Sequence, residues 1–405
     1  MEITVRPVRE DEYATYGWVM AVGFGVDYDE EDQARERGLI PLRDTLAAFD
    51  GDRLVGTEGV FRMTLSIPGA RVPMAGITSV SVLSTHRRRG ALTAMMRQRL
   101  EGMREAGEWL AGLWASESGI YGRFGYGIAA ERAGFEIETS RSAYRRPFDD
   151  PGAVRLVEET EARRVIPAIY EACAEDWPGM IAREEGWWTR LWHDPWDKRA
   201  GSSALRFAVH STSGVDDGYS VYRTKLEWGT GADSAITVED LVTISDVAYA
   251  ALWRYLLDID LMPRLVAYLR PVDEPLRWML AERRSLRPRS DEALWLRLVA
   301  IPPALEARRY STDGEVTFEV SDEFCPWNNG TYALSVRSGV AVCRPLSAPA
   351  DMALDAADLA AAYLGGASFF TLARAGRVRE LVPGAVERAD AMFRWHRAPW
   401  CDRIF

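Results

Sequence analysis

The spacing of hydrophobic and polar residues predicts strands and helices that alternate along most of the chain. The first part reads, in order, as a strand, a helix, an acidic and aromatic loop, and three strands: Glu2 to Val8, Glu10 to Val22, Gly23 to Glu31, Thr45 to Phe49, Arg53 to Val60 and Arg62 to Ile67. Asp50-Gly51-Asp52 is typical of a hairpin turn between the first two of these three strands.

A strand–helix–strand unit comes next. Gly76 to Val82 carries the β-branched residues typical of a strand, and Trp109 to Ala115 returns as a buried strand after Gly107. Between them, apolar residues recur three and four positions apart, as on one face of a helix: Leu92, Met95, Met96, Leu100 and Met103. A crossover of this length implies two parallel strands in a mixed sheet.

The rest of the chain continues this alternation. A helix, three strands and a second helix are predicted at Glu158 to Asp176, Leu205 to His210, Tyr219 to Thr224, Ile236 to Ser245 and Asp246 to Asp258. After Ile301-Pro302-Pro303, a meander of three strands and then three helices follow: Gly314 to Val320, Gly330 to Val336, Gly339 to Cys343, Ala356 to Leu364, Ser368 to Ala373 and Val386 to Trp395. The fold class predicted is α+β, with mixed sheets, in domains at residues 1–150, 151–300 and 301–405.

The turn between the central strand and its helix is strongly basic. It runs through Ser84-Thr85-His86 to Arg87, Arg88, Arg89 and Gly90. The unpaired N–H groups and dipole of a helix N-terminus favour anions, and glycine lets a ligand approach the backbone, so the turn suits a phosphate. A Walker loop is excluded because the chain's lysines are Lys198 and Lys225, and a GxGxxG fingerprint is absent. The pyrophosphate turn of GNAT acyltransferases, R-x-x-G-x-A/G, fits; a solvated basic helix start is the alternative.

The stretch from Val238 to Leu257 repeats this strand–turn–helix outline. It has neither the arginines nor the glycine at the turn. We interpret it as an internal duplication whose second copy has lost cofactor binding, and a coincidental strand–helix unit is the alternative.

Two further segments suggest chemistry. In Tyr121-Gly-Arg-Phe-Gly-Tyr126-Gly, glycines alternate with aromatic residues, which exposes backbone beside fixed walls and presents the Tyr126 hydroxyl; a buried core tyrosine is the alternative. The chain ends in Trp400, Ile404 and Phe405, which are too apolar to remain in water. We expect this end to dock and to bring the α-carboxylate of Phe405 to a fixed place.

Composition narrows the classes of function. The 405 residues carry a net charge of −11, which argues against binding to nucleic acid or to an anionic membrane and suits a cationic amine. The four cysteines and four histidines are scattered, so no metal site is predicted. No basic leader and no apolar run of about 20 residues is present, so we expect a reduced, cytoplasmic protein.

The sequence resembles the Eis (enhanced intracellular survival) family of actinobacterial GNAT N-acetyltransferases over its whole length. The resemblance rests on SVSVLSTHRRRGAL at 79–92, SGIYGRFGYG at 118–127, VEDL at 238–241, PLRWMLAERR at 275–284 and the aromatic last residue. It implies an active GNAT domain, a degenerate GNAT-like domain, a C-terminal domain resembling sterol carrier protein, and a hexamer.

The resemblance also implies roles for individual residues. Tyr126 would be the general acid and the C-terminal carboxylate of Phe405 the general base, while Asp27 would bind the substrate amine. The residues expected to bind acetyl-CoA are Val80, Val82, Arg87, Arg88, Arg89, Gly90, Ala91, Leu92 and Ser118. Leu92 departs from the small residue usual at its position. Ile404 stands where an acidic residue would bind an ammonium group, and Asp402 is not expected to replace it.

These observations predict an acetyl-CoA-dependent N-acetyltransferase that needs no metal. Its partner would be an amine-bearing small molecule, such as an aminoglycoside, or a lysine side chain, and the enzyme would be a homo-oligomer. A non-catalytic protein that binds acyl-CoA or lipid is the alternative. Tyr126 and the apolar end argue against it, because a binding module needs neither. A kinase would need a lysine and acidic Mg²⁺ ligands that the turn lacks.

Overall fold

Three mixed β-sheets with helices packed on them form the fold, as the strand and helix patterns predict. The computed structural model describes residues 3–228, 231 and 233–405. The described strands are β1 (Ile3–Arg6), β2 (Thr45–Asp50), β3 (Arg53–Ile67), β4 (Ala70–Val82), β5 (Leu110–Trp114), β6 (Gly127–Ile128), β7 (Glu131–Glu138), β8 (Ala153–Val157), β9 (Arg206–Thr212), β10 (Val215–Lys225), β11 (Ala235–Thr243), β12 (Arg264–Arg270), β13 (Arg289–Glu292), β14 (Leu294–Leu298), β15 (Gly314–Ser321), β16 (Gly330–Arg337), β17 (Val340–Pro345), β18 (Met352–Asp355) and β19 (Val378–Glu380). The described helices are α1 (Tyr13–Phe24), α2 (Glu30–Leu39), α3 (Ala91–Glu105), α4 (Glu159–Ala174), α5 (Glu185–Trp192), α6 (Asp246–Leu257), α7 (Leu276–Met279), α8 (Ile301–Ala307), α9 (Ala356–Ala362), α10 (Phe369–Arg374) and α11 (Ala385–Phe393).

One compact unit contains the described residues through Ala130, together with Ala293–His396 and Ile404–Phe405. Its larger sheet has the strand order β1-β2-β3-β4-β5-β14-β6, and its smaller sheet has the order β17-β16-β15-β18-β19. The predicted parallel pair is β4 and β5, which α3 connects. Helix α3 buries Met95, Met96 and Leu100. Each such side chain contributes about 1.5–3 kcal/mol when it leaves water.

The other compact unit contains Glu131–Glu292 and Arg397–Arg403. Its sheet has the order β13-β7-β12-β11-β10-β9-β8, in which α6 connects the parallel strands β11 and β12. This repeats the strand–helix–strand outline of the other unit. The Ser245 side chain caps α6 by accepting from the Ala248 N–H, and Asp246 lies in its first turn. An anion would therefore meet a capped, acidic helix start here.

Two strands join sheets formed mainly by distant parts of the sequence. Strand β7 pairs with β12 and β13, whereas β14 pairs with β5 and β6. The larger sheet of the first unit is therefore completed by β14, which follows β7 to β13 in sequence, whereas the described strands of the other unit's sheet are the consecutive strands β7 to β13. The boundaries at residues 150 and 300 stay a prediction.

The structure corrects the N-terminal elements in detail. Glu2 lies outside the described residues, so the first strand is described from Ile3. The predicted loop from Gly23 to Glu31 is wrong at both ends, because α1 extends to Phe24 and α2 begins at Glu30. The Asp29 side chain caps α2 by accepting two backbone N–H groups of its first turn. An acidic run that reads as a loop is thus a capped helix start.

The strands predicted at Arg53 to Val60 and Arg62 to Ile67 are one continuous strand, β3. Its partner β4 begins at Ala70, so the two strands form a long hairpin. Phe61 is buried beside exposed Arg62, and pairing continues through both.

Candidate active site

Strands β4 and β5 pair over a short stretch and then diverge. Their parallel register joins Ala75 to Ala111 and Ile77 to Leu113, and no later pair follows among the described residues. Strand β4 continues beyond this point to Val82. Its backbone groups there face a gap on the β5 side, where they can bind a ligand.

A β-bulge bends β4 at the start of this gap. Thr57 pairs with Ser81 and Gly59 pairs with Thr78, so one residue of β3 lies opposite two residues of β4. Ser79 is in the left-handed region, with φ of 53°. The Thr57 hydroxyl donates to the Ser79 carbonyl at 2.7 Å and so holds the bulge. Bulges of this kind re-aim backbone groups beside binding sites.

The basic turn leads from β4 into α3 as predicted. Arg87, Arg88 and Arg89 are exposed, and Arg88 has φ of 61°. Gly90 precedes α3 with φ of 88°, a conformation that favours glycine, and no side chain caps the helix. The first-turn N–H groups of α3 are therefore open to an anion, next to three cations.

A cavity of about 710 Å³ lies beside the gap. Gly23 and Phe24 of α1 form one side, and Tyr121 and Arg123 form another. The residues predicted to bind acetyl-CoA that line it are Val80, Val82, Arg87, Arg88, Gly90, Ala91 and Leu92. Arg89 and Ser118 are not among its lining residues. The structure thus brings most of the predicted set to one cavity.

The glycines around Tyr126 permit two close contacts. Gly125 has φ of 79°, and a Cβ there would lie 2.6 Å from Nη1 of Arg297. A Cβ at Gly127 would overlap the Ala357 carbonyl oxygen of α9. These contacts hold the backbone on both sides of Tyr126, so the glycines serve packing as well as any ligand.

The Tyr126 side chain is fully buried and is not among the residues that line the cavity. Its ring packs edge-on against Tyr121, with 6.0 Å between ring centroids. Its hydroxyl has no hydrogen-bond partner among the described residues. Burial raises the pKa of Tyr126 well above its usual value, the Glu58 carboxylate raises it further, and the Arg297 guanidinium opposes both. The burial fits the alternative given from sequence, a buried core tyrosine, but sequence reasoning did not anticipate the two charges that act on Tyr126.

Glu58 and Arg297, the two charges that act on Tyr126, are buried residues that sequence reasoning missed. Glu58 accepts from Arg99 Nε at 2.7 Å, and Arg297 Nη2 donates to Asp322 at 2.5 Å. Each is a single charge within an apolar strand, in LVGTEGVF and in LWLRLV. That pattern is the signal that could have identified them, because a charge is buried only with a partner or for a function.

Trp400 and Phe405 at the chain end are buried, as their apolar character predicts, whereas Ile404 is 56% exposed, so the prediction is wrong for that residue. A Cβ at Gly76 would lie 3.1 Å from Cε2 of Phe405, so the Phe405 ring lies against that glycine. Ile77, the next residue, belongs to the apolar cluster that contains Tyr126. Successive side chains of a strand point to opposite faces. Phe405 therefore packs on the face of β4 opposite the one that Ile77 presents to the cluster containing Tyr126, just where β4 diverges from β5.

Asp402 has a separate, structural environment in the unit that contains Arg397–Arg403. It pairs with Arg183, which also donates to Asp240 at 2.7 Å, and the Tyr170 hydroxyl donates to it at 3.1 Å. All of these side chains are buried. Asp402 is thus committed to an ion pair, which agrees with the expectation that it does not replace an acidic residue at Ile404.

Asp27 is exposed in the short loop between α1 and α2. It follows Phe24, which lines the cavity, but is not itself a lining residue. Its role toward a substrate amine stays a prediction.

Over the ranges 3–228, 231 and 233–405, no group of three or more histidine, cysteine or acidic side chains could hold a metal ion. In the same ranges, no helix is long and apolar enough to cross a membrane.

Three family profiles match the chain. Residues 4–129 and 179–298 each match an acetyltransferase (GNAT) domain, and residues 301–402 match a sterol carrier protein domain. This confirms the α+β fold class and the tandem GNAT arrangement followed by a sterol-carrier-like domain.

Relatives match the chain over its whole length. The chain is 41% identical over 409 residues to an uncharacterized N-acetyltransferase of Streptomyces avermitilis, covering 100% of both chains. It is 34% identical over 411 residues to N-acetyltransferase Eis of Mycobacterium tuberculosis, covering 97% of both. Among solved structures, Eis1 from Mycobacterium abscessus matches with a TM-score of 0.87 and 34% identity, over 99% of this chain and 100% of that one.

Proposed function

The chain belongs to the Eis family of GNAT N-acetyltransferases, and on this premise we propose that it transfers acetyl from acetyl-CoA to a primary amine by direct attack. The observation that carries the proposal is the gap between β4 and β5 beside the cavity with the arginine–glycine turn. It offers backbone donors for a thioester and cations for a pyrophosphate in one continuous site.

The residues present fit acetyl-CoA. The open first turn of α3, with Arg87 and Arg88, would hold the pyrophosphate. Backbone N–H groups from Ser79 to Val82 would donate to the thioester oxygen, where negative charge develops during acyl transfer. The bulge at Ser79 supports this, because it turns these groups away from regular pairing.

Tyr126 would donate its phenol proton to the departing thiolate. At ordinary pKa values of about 10 and 8.5, this transfer is uphill by about 2 kcal/mol. Burial raises the pKa of Tyr126, which makes the transfer harder in the resting protein. A positively charged neighbour is therefore needed to stabilise the phenolate.

The α-carboxylate of Phe405 would take the proton of the attacking amine. The ordinary pKa of an α-carboxyl group, about 3.5, is too low to deprotonate an ammonium group near 10.4. The Phe405 carboxylate would instead receive the proton once the N–C bond has made the nitrogen acidic. Burial of the Phe405 ring against Gly76 supports this role, because it fixes the chain end beside β4.

The amine class is part of the proposal. Asp27 and the net charge of −11 favour a cationic acceptor, such as an aminoglycoside, a polyamine or a lysine side chain. A homo-oligomer, with six chains by the family resemblance, and a cytoplasmic location also stay predictions.

The test is release of CoA thiol from acetyl-CoA by the untagged protein, across aminoglycosides, polyamines and lysine peptides. We expect turnover with at least one of these amines. Extending the chain by a few residues after Phe405 should abolish turnover, whereas the same extension before Met1 should not. Failure to bind acetyl-CoA, or full activity after the C-terminal extension, would contradict the site or the carboxylate role, respectively.

A further inference from the structure

The buried guanidinium of Arg297 lies next to the loop that carries Tyr126. Its side chain is 0% exposed, and its Nε and Nη1 have no oxygen or nitrogen hydrogen-bond partner among the described residues, although the Cys325 thiol interacts with the guanidinium. A Cβ at Gly125 would lie 2.6 Å from Nη1 of Arg297, too close for any side chain. The guanidinium therefore lies directly beside Gly125, the residue that precedes Tyr126. A buried N–H without a partner is costly, by about 1–3 kcal/mol. Such groups persist where function needs them.

Glu58 is a buried carboxylate on the side of β3 that packs toward the apolar cluster containing Tyr126. Val60, two residues later on the same face of β3, belongs to the apolar cluster that contains Tyr126 and Leu100. Arg99, next to Leu100 on α3, binds Oε1 of Glu58. The second oxygen, Oε2, is buried and has no hydrogen-bond partner among the described residues.

We propose that Arg297 and Glu58 are positioning residues for Tyr126. The guanidinium stabilises the phenolate that proton transfer leaves behind, and the carboxylate keeps the phenol protonated until then. This proposal rests on the proposed function, in which Tyr126 is the general acid. The two residues that set the acidity of Tyr126 thus lie on strands β14 and β3, outside the glycine-rich loop.

The proton balance of the step is closed. The O–H bond of Tyr126 breaks, an S–H bond forms on the departing thiolate, and the negative charge moves from sulfur to the phenol oxygen. An ammonium substrate sheds two protons over the turnover. One of them restores the phenol, and the other is released to solvent.

Four groups act electrostatically on the Tyr126 hydroxyl, and each comes from a different part of the fold. Besides Glu58 on β3 and Arg297 on β14, they are Tyr121 in the same loop and the Cys325 thiol after β15. Burial raises the pKa of both the Tyr121 phenol, to about 12, and the Cys325 thiol, so these two groups are neutral at physiological pH. Burial raises the pKa of the Glu58 carboxyl too, but its ion pair with Arg99 opposes this shift and favours the carboxylate. Glu58, paired with Arg99, and Arg297 are thus the two charged groups in this set.

The test replaces Tyr126 with 3,5-difluorotyrosine, whose phenol is more acidic, and follows its ionisation by ¹⁹F NMR in the full-length protein. We expect Glu58→Gln to lower the apparent pKa by roughly one unit and removal of the Arg297 charge to raise it by roughly one unit. Arg297→Lys, which keeps the charge, should shift it less. Arg297→Gln is combined with Asp322→Asn, because a buried carboxylate left alone could prevent folding.

Glu274→Gln is the control, since it makes the same isosteric change at another buried glutamate. Opposite shifts for the two charges, with none in the control, support the proposal. Shifts of the same sign, or none, overturn it. The NMR readout needs no amine substrate. Full turnover of Tyr126→Phe would therefore refute the proposed general acid while leaving the charge placement standing, so the two failures are distinguishable.

Discussion

The ring of Phe405, the last residue of the chain, lies against Gly76 of β4, where a Cβ would be 3.1 Å from Phe405 Cε2. The position of Phe405, which is far from Gly76 in sequence, thus requires that residue 76 of β4 has no side chain. The same Cβ would lie 2.6 Å from Sδ of Met63, a side chain that can move. Any larger residue at position 76 should therefore displace the chain end.

We expect Gly76→Ala to lower turnover about 10- to 100-fold, because a shift of about 1 Å at a reacting group is enough for such a loss. Gly112→Ala is the matched control. Its Cβ would also lie 2.6 Å from a methionine sulfur, that of Met74, but it does not meet Phe405. Steady-state kinetics and melting temperatures of the two variants provide the check. Equal losses of turnover would contradict a role for the chain end.

Tyr126→Phe should separate turnover from stability. The hydroxyl is buried without a partner, so its removal should leave the free energy of unfolding unchanged or raise it by about 1 kcal/mol, while turnover falls. In contrast, Tyr170→Phe removes a hydroxyl that donates to Ile181 O at 2.7 Å and should destabilise the protein by about 1–3 kcal/mol. Urea titrations measure both. A clear destabilisation by Tyr126→Phe would mean that its hydroxyl has a structural partner.

Gly127→Ala should destabilise the protein by at least about 2 kcal/mol, because the new methyl group would meet the backbone of α9, which cannot rotate away. Gly122→Ala, in the same loop, has open space around its Cβ and should cost little. Differential scanning calorimetry compares the two. If both variants melt together, α9 does not constrain this loop.

Arg183 should be required for the stability of its unit. Its loss leaves Asp240 and Asp402 as buried carboxylates without their cation, so Arg183→Met should cost about 3–5 kcal/mol. Adding Asp240→Asn and Asp402→Asn should recover much of this loss, because the remaining groups are then neutral. Recovery is measured by urea denaturation. A triple variant no more stable than Arg183→Met would show that the arginine acts through packing instead.

His210 should make stability depend on pH on the alkaline side. Burial alone would lower the pKa of His210, but hydrogen bonds to Asp217 at 2.6 Å and Asp150 at 3.1 Å outweigh it and raise the pKa. A raised folded-state pKa gives stability that is complete below the unfolded value of about 6.5 and is lost as pH rises through the folded value. Wild type should therefore lose more stability than His210→Gln as pH rises above about 6.5. Parallel curves would contradict this.

Local sequence was enough for the parts of the site that are contiguous in the chain. The arginine–glycine turn and the Tyr126 loop each lie within a short stretch, and their lining of one cavity follows from strand order. The charged residues that act on Tyr126 could not be predicted in this way. Glu58 and Arg297 are separated by most of the chain, and only the pairing of β14 beside β5 brings the arginine under Gly125.

Helix α2 was missed for a different reason. Its acidic first turn has the composition of a loop, yet the same residues become favourable once Asp29 caps the helix. The contact of Phe405 with Gly76 had no signal beyond the apolar character of the chain end.

The placement of β14 has a consequence for how the protein is made. The edge of β5 stays unpaired during synthesis until Leu294–Leu298 has emerged, and β7 must wait for β12 and β13. The nascent chain therefore carries two incomplete sheets with open edges during a long part of its translation, a state that favours aggregation. A fragment that stops near Ala130 would keep the arginine turn but retain that open edge permanently. The first half of the tandem is thus not an independent folding unit, because its sheet is completed by a strand that follows β7 to β13 in sequence.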